Sequence, residues 1–406
     1  MCGLIGFTNI NTVDVQNTAH QMCKAITHRG PDSEGIWWDQ FIALGHRRLS
    51  ILDLSPAGHQ PMMSACGRYV IAFNGEIYNH LKLREQLLAE NKIFAWRGHS
   101  DTETLLACFS SWGIEQTLQA TVGMFAIALW DQQTQTITLA RDRMGEKPLY
   151  WGWCNDTLLF GSELKALKAH PAFNAPIDRN SLALFLRHAY VPAPYSIYQN
   201  INKLMPAHFV QIPLQGDLAS SKATKPSAYW SMNSAVESGL AKPFTGSPDE
   251  AVSSLEAQLR LSISEQMLAD VPLGAFLSGG IDSSSIVALM QSESSRPVRT
   301  FTIGFQEGGY NEAVHAKAVA QHIGTDHSEL YVSPNDTLAV IPSLPDMYCE
   351  PFADSSQIPT FLVSQMAKQH VTVALSGDGG DELFGGYNRY LAARKVWGPL
   401  QRLPSV

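Results

Sequence analysis

The sequence lacks the features that mark membrane-bound, secreted and nucleic-acid-binding proteins. No apolar run approaches the roughly 20 residues that span a bilayer, and the N-terminus has no charged segment followed by the apolar core of a signal peptide. There is no block of basic residues, and the formal net charge is −8, which argues against nucleic acid as the main partner. We therefore expect a cytoplasmic protein with no membrane span and no nucleic-acid partner.

Paired cysteines are also missing. The chain contains 6 cysteines in 406 residues, and none of them forms a C-x-x-C pair. This scatter is typical of thiols in a reducing compartment rather than of a disulfide framework or a zinc site. Hydrophobic residues make up 45% and charged residues 16% of the chain, which fits a globular enzyme of two or three domains.

One cysteine has an unusual position. Cys2 directly follows Met1 in a short apolar run. If Met1 is removed, Cys2 carries both a thiol and a free α-amine, whose ordinary pKa of roughly 8 allows it to act as a base beside the nucleophile. The alternative is an ordinary core cysteine, and Cys2 alone does not decide between the two.

The first half of the chain is rich in predicted strands. Short apolar runs are separated by Gly, Asn and Asp, and two helices are predicted, one over Leu81–Glu90 and one after Ser100, where Glu103 completes a capping-box pattern. This mixture favours an α+β fold of packed antiparallel sheets flanked by helices. The predicted strands are Gly3–Phe7, Tyr69–Phe73, Met124–Trp130, Thr136–Ala140 and Leu158–Phe160.

A change of composition separates the two halves. Residues 211–246 are rich in Ser, Lys, Pro and Gly, which predicts a linker or a surface excursion. Ser247 then provides an N-cap, Pro248 suits the first helical position, and Glu250 completes a capping box. The helix that follows has one apolar stripe, at Val252, Leu255, Leu259, Ile263 and Met267.

The second half alternates strands with helices, which predicts a parallel sheet. One helix, Asn311–Ile323, is expected to end at the C-cap Gly324. Ligands of such sheets bind at the carboxyl ends of the strands. The predicted strands are Gly274–Leu277, Thr300–Phe305, Ser328–Val332 and Val371–Leu375.

Two glycine-rich loops follow two of these strands. Ser278–Ser284 has the strand–glycine turn–helix arrangement that holds phosphate, although the G-K-[ST] of a Walker loop is absent. Asp282 suits such a site only beside a cation such as Mg²⁺. In the second loop, Ser376–Glu382, Asp381 could share that metal. The alternatives are a capped glycine turn and an acidic surface turn.

Cys2 and the Ser278–Ser284 loop together closely resemble the glutamine-dependent asparagine synthetase family, over about residues 2–395. The resemblance implies an N-terminal αββα sandwich of the Ntn-hydrolase type (2–210, glutaminase) and an α/β parallel-sheet domain of the PP-loop type (247–406, synthetase). Further motifs that carry it are His28–Asp32, Arg48–Ile51, Phe73–Asn79, Ser100–Glu103, Gly123–Ala126, Ala140–Asp142 and Ser376–Glu382.

For the first domain, the resemblance implies that Cys2 attacks the glutamine amide and forms a thioester. The Asn74 side chain and the Gly75 backbone N–H would form the oxyanion hole. The glutamine-binding residues would be Arg48 for the α-carboxylate, Glu76 and Asp101 for the α-ammonium, and main-chain groups near Ile51 and Gly75. Without the resemblance, Arg48 and Asp101 would be interpreted as a surface ion pair or a helix cap.

For the second domain, the resemblance implies an ATP-binding site and Mg²⁺ held by Asp282 and Asp381. A carboxylate acceptor would be adenylated with release of pyrophosphate, and ammonia would arrive through a buried channel and displace AMP. Phe276 and Ile303 are equally consistent with plain core positions. The implied ATP-binding residues are Phe276, Ser278, Gly279, Gly280, Asp282, Ser283, Ser284, Ile303, Ser376 and Gly377.

The chain departs from the family at two points. Asp378 stands where the family's asparagine synthetases commonly have a catalytic Glu. The sequence of the segment Glu350–Ser356 resembles a branch of the family that is associated with surface-polysaccharide genes. The acceptor could therefore be a sugar uronic acid instead of aspartate. The family also continues beyond this length with helices and a lysine that neutralises pyrophosphate, so we expect the second domain to be C-terminally incomplete.

Two rival functions remain at this stage. A glutaminase that delivers ammonia to a sugar phosphate would not need the Ser278–Ser284 loop. A glutamine- or nucleotide-sensing protein with an inactive synthetase half would not need an intact Cys2 and Asn74. The family often forms dimers through the glutaminase domain, so a homodimer is a further expectation.

Overall fold

The structure is a computed structural model that describes residues 1–92, 95–305 and 311–401. It divides into two compact units. Unit 1 comprises Met1–Thr245 together with Ser343–Asp354, and unit 2 comprises Gly246–Pro342 and Ser355–Val406. Residues 306–310 and 402–406 of the expected second domain lie outside the described residues.

Unit 1 is built from antiparallel strands and short helices. Its strands are β1 (Gly3–Thr8), β2 (Ser33–Trp38), β3 (Ile42–Arg48), β4 (Met62–Met63), β5 (Tyr69–Ile77), β6 (Gly123–Asp131), β7 (Thr136–Arg141), β8 (Tyr150–Cys154), β9 (Thr157–Gly161), β10 (Ile201–Lys203), β11 (His208–Pro213) and β12 (Ser227–Ala228). Its helices are α1 (Val15–Lys24), α2 (His80–Ala89), α3 (Asp101–Trp112), α4 (Ile114–Ala120), α5 (Leu164–Lys168), α6 (Arg179–His188), α7 (Leu218–Ala223), α8 (Met232–Ala241) and, from the later segment, α13 (Leu344–Met347).

Among the described residues of unit 1, these strands form two 6-stranded sheets, ordered β10-β8-β9-β1-β3-β2 and β12-β11-β7-β6-β5-β4. Successive side chains of a strand point to opposite faces of its sheet, which explains why the two sheets stack. Leu4 and Val70 face the core between the sheets, whereas their neighbours Ile5 and Ile71 face helices on the outer sides. Helices α1 and α5 cover the first sheet, and α2 and α3 cover the second. The predicted αββα sandwich is confirmed.

The strands predicted in the first half are all present, and most are longer than predicted. The predicted run Tyr69–Phe73, for example, is the first part of β5, which continues to Ile77. The two predicted helices are α2 and α3. At the start of α3, Ser100 accepts a hydrogen bond from the Glu103 N–H. The Glu103 carboxylate instead accepts from the N–H groups of Arg97 and Gly98, so only half of the predicted capping box forms.

The compact unit extends beyond the boundary expected at residue 210. Strand β11 crosses that position and pairs with β7 on one side and β12 on the other. Tyr229, within the expected linker 211–246, is buried in the core beneath the second sheet. The composition of this segment is polar because its short elements lie at a sheet edge, not because it is detached from the sheet.

Unit 2 contains a 4-stranded parallel sheet in the described residues, ordered β15-β14-β13-β16. Parallel pairing brings the carboxyl ends of β13, β14 and β16 to one edge, as predicted. The strands are β13 (Leu273–Phe276), β14 (Arg299–Phe305), β15 (Asp326–Val332) and β16 (Val373–Leu375). The helices are α9 (Pro248–Gln266), α10 (Ile281–Glu293), α11 (Ala313–Ile323), α12 (Pro334–Val340), α14 (Gln357–Ala367), α15 (Gly380–Phe384) and α16 (Asn388–Leu400).

Helix signals in unit 2 are largely confirmed. Ser247 and Glu250 form a complete capping box at the start of α9, and α11 ends at Gly324 in the left-handed conformation. The apolar stripe of α9 differs from expectation, because Ile263 is buried whereas Val252 is 65% exposed. Across the described ranges, no helix combines the length and the apolar character needed to cross a membrane.

Candidate active site

Unit 1 contains a small cavity near the start of β1. Its walls come from the N-terminus, the loop after β3, the end of β5 and the start of α3, which are far apart in the sequence. Seven residues singled out from the sequence line it together, namely Cys2, Arg48, Ile51, Asn74, Gly75, Glu76 and Asp101.

The Cys2 thiol is fixed by the main chain opposite. Its Sγ lies 3.4 Å from both the N and the O of Leu49. Burial raises the pKa of the Cys2 thiol, so the thiol needs a base to ionise near neutrality. The α-amino group of Met1 lines the same cavity, and burial lowers its pKa to about 6, although the Cys2 charge opposes this. The α-amino group of Met1 is therefore largely neutral at pH 7.

Asn74 brings a buried amide donor to the cavity. The residue is 1% exposed, and its Nδ2 has no hydrogen-bond partner among the described residues. The preceding residue, Phe73, is held on both sides: its N–H donates to Gln60 Oε1 (2.7 Å), and its carbonyl oxygen lies 2.9 Å from His46 Nε2. Burial lowers the pKa of His46 to about 3, so a neutral ring with hydrogen on Nε2 donates to this carbonyl. A donor left unpaired at such a rigid position is available to a ligand.

Gly75 is required by packing within the sheet. A Cβ at this position would lie 2.1 Å from the Met124 carbonyl oxygen and 2.7 Å from the Phe125 Cα on the neighbouring strand β6. The structure shows that β6 alone already excludes a side chain here.

Two carboxylates form an acidic side of the cavity. Glu76 Oε1 has no hydrogen-bond partner within the described part of the chain. Burial together with the neighbouring Asp101 raises the pKa of Glu76 to about 7, with Lys147 acting in the opposite direction. Burial raises the pKa of Asp101 to about 6, against hydrogen bonds from the Ile77 and Thr102 N–H groups. These bonds place Asp101 inside the cavity, so it is not a surface residue. A bound ammonium would relieve the repulsion between the two carboxylates.

Arg48 also lines the cavity and is 8% exposed, so a surface ion pair is excluded. Its guanidinium donates to the carbonyl oxygens of Leu52, Asp53 and Ser55, which orders the loop after β3. Gly58 allows this arrangement, since a Cβ there would lie 2.0 Å from Nη2. A guanidinium has five N–H donors, so Arg48 retains capacity for a carboxylate.

Three further residues near the nucleophile were not predicted from the sequence, namely Lys147, Gln60 and Arg29. Lys147 and Gln60 line the cavity, and burial lowers the pKa of the Lys147 ammonium. Arg29 Nε donates to the Cys2 carbonyl oxygen at 2.8 Å. Arg29 lies within the quoted motif His28–Asp32, which was a usable signal, whereas Lys147 and Gln60 have no pattern that distinguishes them from surface residues.

In unit 2, the loop Ser278–Ser284 has the predicted strand–turn–helix form. Gly279 adopts a φ of +82°, which favours glycine. Ser283 Oγ lies 2.9 Å from Ser278 Oγ and accepts from the Ser278 N–H at 3.2 Å. Gly280 is the N-cap of α10, and the buried Ser284 Oγ has no partner among the described residues. The loop therefore offers helix N–H groups and a hydroxyl to an anion.

The second loop, Ser376–Glu382, lies against the first. A Cβ at Gly377 would be 2.8 Å from the Ser283 N, and one at Gly380 would be 2.6 Å from Asp282 Oδ2. Asp282 thus points at the residue immediately before Asp381. Asp378 accepts from Ser376 Oγ at 3.0 Å, within its own turn.

No group of three or more His, Cys, Asp or Glu side chains suited to a metal occurs in the part of the chain that the structure describes. Mg²⁺ keeps several waters and is usually bound by one or two carboxylates together with substrate phosphates. The pair Asp282 and Asp381 therefore fits Mg²⁺ only in the company of a nucleotide. Phe276 ends β13, and Ile303 lies on the adjacent β14; both are partly buried.

Comparisons with known proteins agree with this division. A model of the glutamine amidotransferase domain matches residues 1–230, and one of asparagine synthase matches residues 254–405. Asparagine synthetase [glutamine-hydrolyzing] 1 of Bacillus subtilis is 36% identical, with 100% of this chain and 62% of that protein covered. A putative asparagine synthetase of Methanocaldococcus jannaschii is 35% identical, with coverages of 96% and 76%. The chain thus spans less than two thirds of the Bacillus relative.

Two further matches are more distant. The amidase chry2 of Gibberella zeae is 29% identical, with 90% of this chain and 55% of that protein covered. Among solved structures, glutamine phosphoribosylpyrophosphate amidotransferase of B. subtilis, in complex with ADP and GMP, matches with a TM-score of 0.43 and 15% identity, and covers 82% of this chain and 91% of that one.

Proposed function

We propose, from the premise that the chain belongs to the glutamine-hydrolysing asparagine synthetase family, that it is an ATP-dependent amidotransferase. It takes ammonia from glutamine at Cys2 and transfers it to an adenylated carboxylate, with aspartate as the acceptor. The observation that carries this proposal is the cavity in unit 1, where a thiol, an unpaired amide donor, a guanidinium and two carboxylates converge.

The first half-reaction uses this cavity. After removal of Met1, the α-amine of Cys2 takes the Sγ proton, and the thiolate attacks the amide carbon of glutamine to form a thioester and release ammonia. The Asn74 Nδ2 donor, with the Gly75 N–H, stabilises the oxyanion. Hydrogen bonds on both sides hold the main chain of Phe73, the residue before Asn74. The main chain at Asn74 therefore needs no reorganisation during the reaction.

Charge complementarity orients glutamine in the cavity. Arg48 binds the α-carboxylate with the donors that the Leu52–Ser55 loop does not use. Glu76 and Asp101, whose pKa values are raised, bind the α-ammonium, and binding lowers both pKa values again. A free α-amino acid is therefore preferred over a peptide glutamine, which lacks both charges.

The second half-reaction takes place in unit 2. The Ser278–Ser284 loop binds the pyrophosphate of ATP, and Phe276, Ile303, Ser376 and Gly377 surround the nucleoside. Asp282 and Asp381 would hold Mg²⁺, which neutralises phosphate charge when it is bound. Asp378 acts at the acceptor in the adenylation and amidation steps.

The acceptor distinguishes this proposal from its alternative. The names of the Bacillus and Methanocaldococcus relatives support aspartate. A more distant relative carries the name amidase, and the sequence around Glu350–Ser356 is the reason to test a uronic acid as the second acceptor.

The direct test of this proposal is whether one variant can lose the use of glutamine and still form the amide from ammonia. We expect Cys2→Ala to lose glutamine as a donor while ammonia still supports ATP-dependent amide formation, because the nucleophile and the nucleotide loops lie in different units. Cys66→Ala, which removes an exposed thiol of unit 1, is the matched control. Equal loss of both donors in a folded Cys2→Ala protein contradicts the proposal.

The reciprocal variant is Asp282→Asn. It should abolish AMP formation and leave glutamine hydrolysis intact, whereas Asp326→Asn, at an exposed carboxylate of the same unit, should change neither. Unchanged AMP formation in Asp282→Asn would rule out the assigned role of Asp282.

A further inference from the structure

A segment from the second half of the sequence is part of unit 1. Residues Ser343–Asp354, which we call the strap, are joined at both ends to residues of unit 2 but cluster with unit 1. The Ala353 N–H donates to the Ala189 carbonyl oxygen at 2.8 Å, and Lys165 Nζ donates to the Asp346 carbonyl oxygen at 2.7 Å. The strap is therefore docked by specific bonds at both of its ends.

The centre of the strap is held by a partly buried ion pair. Glu350 forms a salt bridge with Lys203, and their side chains are only 9% and 17% exposed. The same carboxylate accepts from the Ile197 N–H at 2.7 Å and lies 3.3 Å from the Tyr150 hydroxyl. Loss of one member of an ion pair that is shielded from water leaves the other charge uncompensated. A substitution of Lys203 is therefore expected to weaken the docking of the strap.

Glu163 connects the strap to the interior of unit 1. Its Oε2 forms an ion pair with Lys165 Nζ at 3.1 Å and accepts from the strap thiol of Cys349 at 3.7 Å. Its Oε1 accepts from His28 Nε2 at 2.9 Å and from Arg29 Nη1 at 3.0 Å. Burial opposes ionisation of this carboxyl, but the hydrogen bonds from His28 and Arg29 lower its pKa to about 2, so it is a carboxylate at neutral pH.

Arg29 completes the connection to the nucleophile. Its guanidinium is 7% exposed, bonds Glu163 through Nη1 and donates through Nε to the Cys2 carbonyl oxygen. The residue before Glu163 is joined to β1 as well, since Ser162 Oγ accepts from the Leu4 N–H at 3.0 Å. An unbroken series of bonds thus runs from the strap through Glu163 and Arg29 to the main chain of Cys2.

We infer that Glu163 is a positioning residue that couples docking of the Ser343–Asp354 strap to the orientation of Cys2, so that glutamine hydrolysis depends on the strap. The inference rests on the proposed role of Cys2 as the nucleophile. Because the strap continues into unit 2 at both ends, a rearrangement of unit 2 that displaces it would change the rate of glutamine hydrolysis.

A double-mutant cycle on the full chain tests this coupling. Glu163→Gln should lower kcat for glutamine hydrolysis about tenfold with little change in KM, because small misplacements of a nucleophile have large effects on rate. Lys203→Met, which leaves Glu163 untouched, should lower kcat in the same way, but should have no further effect in the Glu163→Gln background. Lys222→Met, which removes an exposed ion pair of unit 1, is the control and should match the wild type.

Alkylation of Cys2 by iodoacetamide, followed by peptide mass spectrometry, gives a readout that does not require turnover. Release of the strap should speed this alkylation in Lys203→Met while hydrolysis slows, because the Cys2 main chain loses its anchor. Additive effects in the cycle, or unchanged Cys2 alkylation in both single variants, would overturn the inference. If the wild type does not hydrolyse glutamine, the proposed function fails, but the alkylation cycle still decides the coupling.

Discussion

Replacement of Asn74 by leucine separates a catalytic role of this residue from a structural one. Asn74 Nδ2 is buried and has no partner among the described residues. A buried unsatisfied donor costs about 1–3 kcal/mol of stability, and leucine has a similar shape without that donor. Asn74→Leu should therefore unfold at the same or a higher denaturant concentration than the wild type. Removal of one oxyanion donor should at the same time lower kcat about 100- to 1,000-fold.

Asn79 provides the matched control. Its side chain donates to the Ala120 carbonyl oxygen at 3.0 Å and accepts from the Val122 N–H at 2.9 Å. Asn79→Leu breaks both bonds, so it should lose about 1–3 kcal/mol of unfolding free energy and keep the wild-type kcat. The assays are urea unfolding and glutamate release from glutamine. If Asn74→Leu is less stable and retains its kcat, Asn74 is structural and the oxyanion assignment is wrong.

The remaining predictions concern pH and packing. Because the pKa of Glu76 is about 7, protonation below that pH removes attraction for the α-ammonium, so KM for glutamine should rise by up to about tenfold per pH unit as the pH falls. Steady-state kinetics between about pH 5.5 and 8 check this, and Glu76→Gln should flatten the profile; a flat wild-type profile would contradict it. Gly75→Ala places a Cβ 2.1 Å from the Met124 carbonyl oxygen and should destabilise unit 1 by about 1–3 kcal/mol in urea unfolding. At Gly67 an added Cβ meets no atom of the described residues within 4 Å apart from its chain neighbours, so Gly67→Ala should show only the smaller penalty of its positive φ.

Local signals in the sequence predicted most of the fold. The apolar run Tyr69–Phe73 predicted the first part of β5, and the Ser247–Glu250 capping box predicted the start of α9. Only one of the two hydrogen bonds of the capping box predicted at Ser100 forms. The Glu103 carboxylate instead accepts from the N–H groups of Arg97 and Gly98, in a preceding loop whose position depends on the tertiary fold.

Long-range features were not predictable in the same way. The strap is separated from Glu163 by about 180 residues, and no local pattern assigns it to unit 1. Likewise, the composition of residues 211–246 could not reveal that Tyr229 is buried beneath the second sheet. The first part of the α9 stripe is exposed at Val252 and Leu255, because periodicity predicts a helix face but not what covers it.

The candidate site was predicted through motifs rather than through geometry. Cys2 was identified by its position after Met1, and Asn74 and Asp101 by resemblance; the structure places all three around one cavity. Lys147 and Gln60 were missed because a single lysine or glutamine has no signature apart from its position in the fold.

Transfer of the amide nitrogen tests the central claim most directly. The protein is incubated with ATP, Mg²⁺, aspartate and glutamine labelled with ¹⁵N in the amide, and asparagine and AMP are measured by mass spectrometry. We predict ¹⁵N-asparagine in equal amount to AMP, with neither formed by Cys2→Ala unless ammonia is added. Glutamate formed without AMP, both with aspartate and with uronic acids as acceptors, would contradict the account.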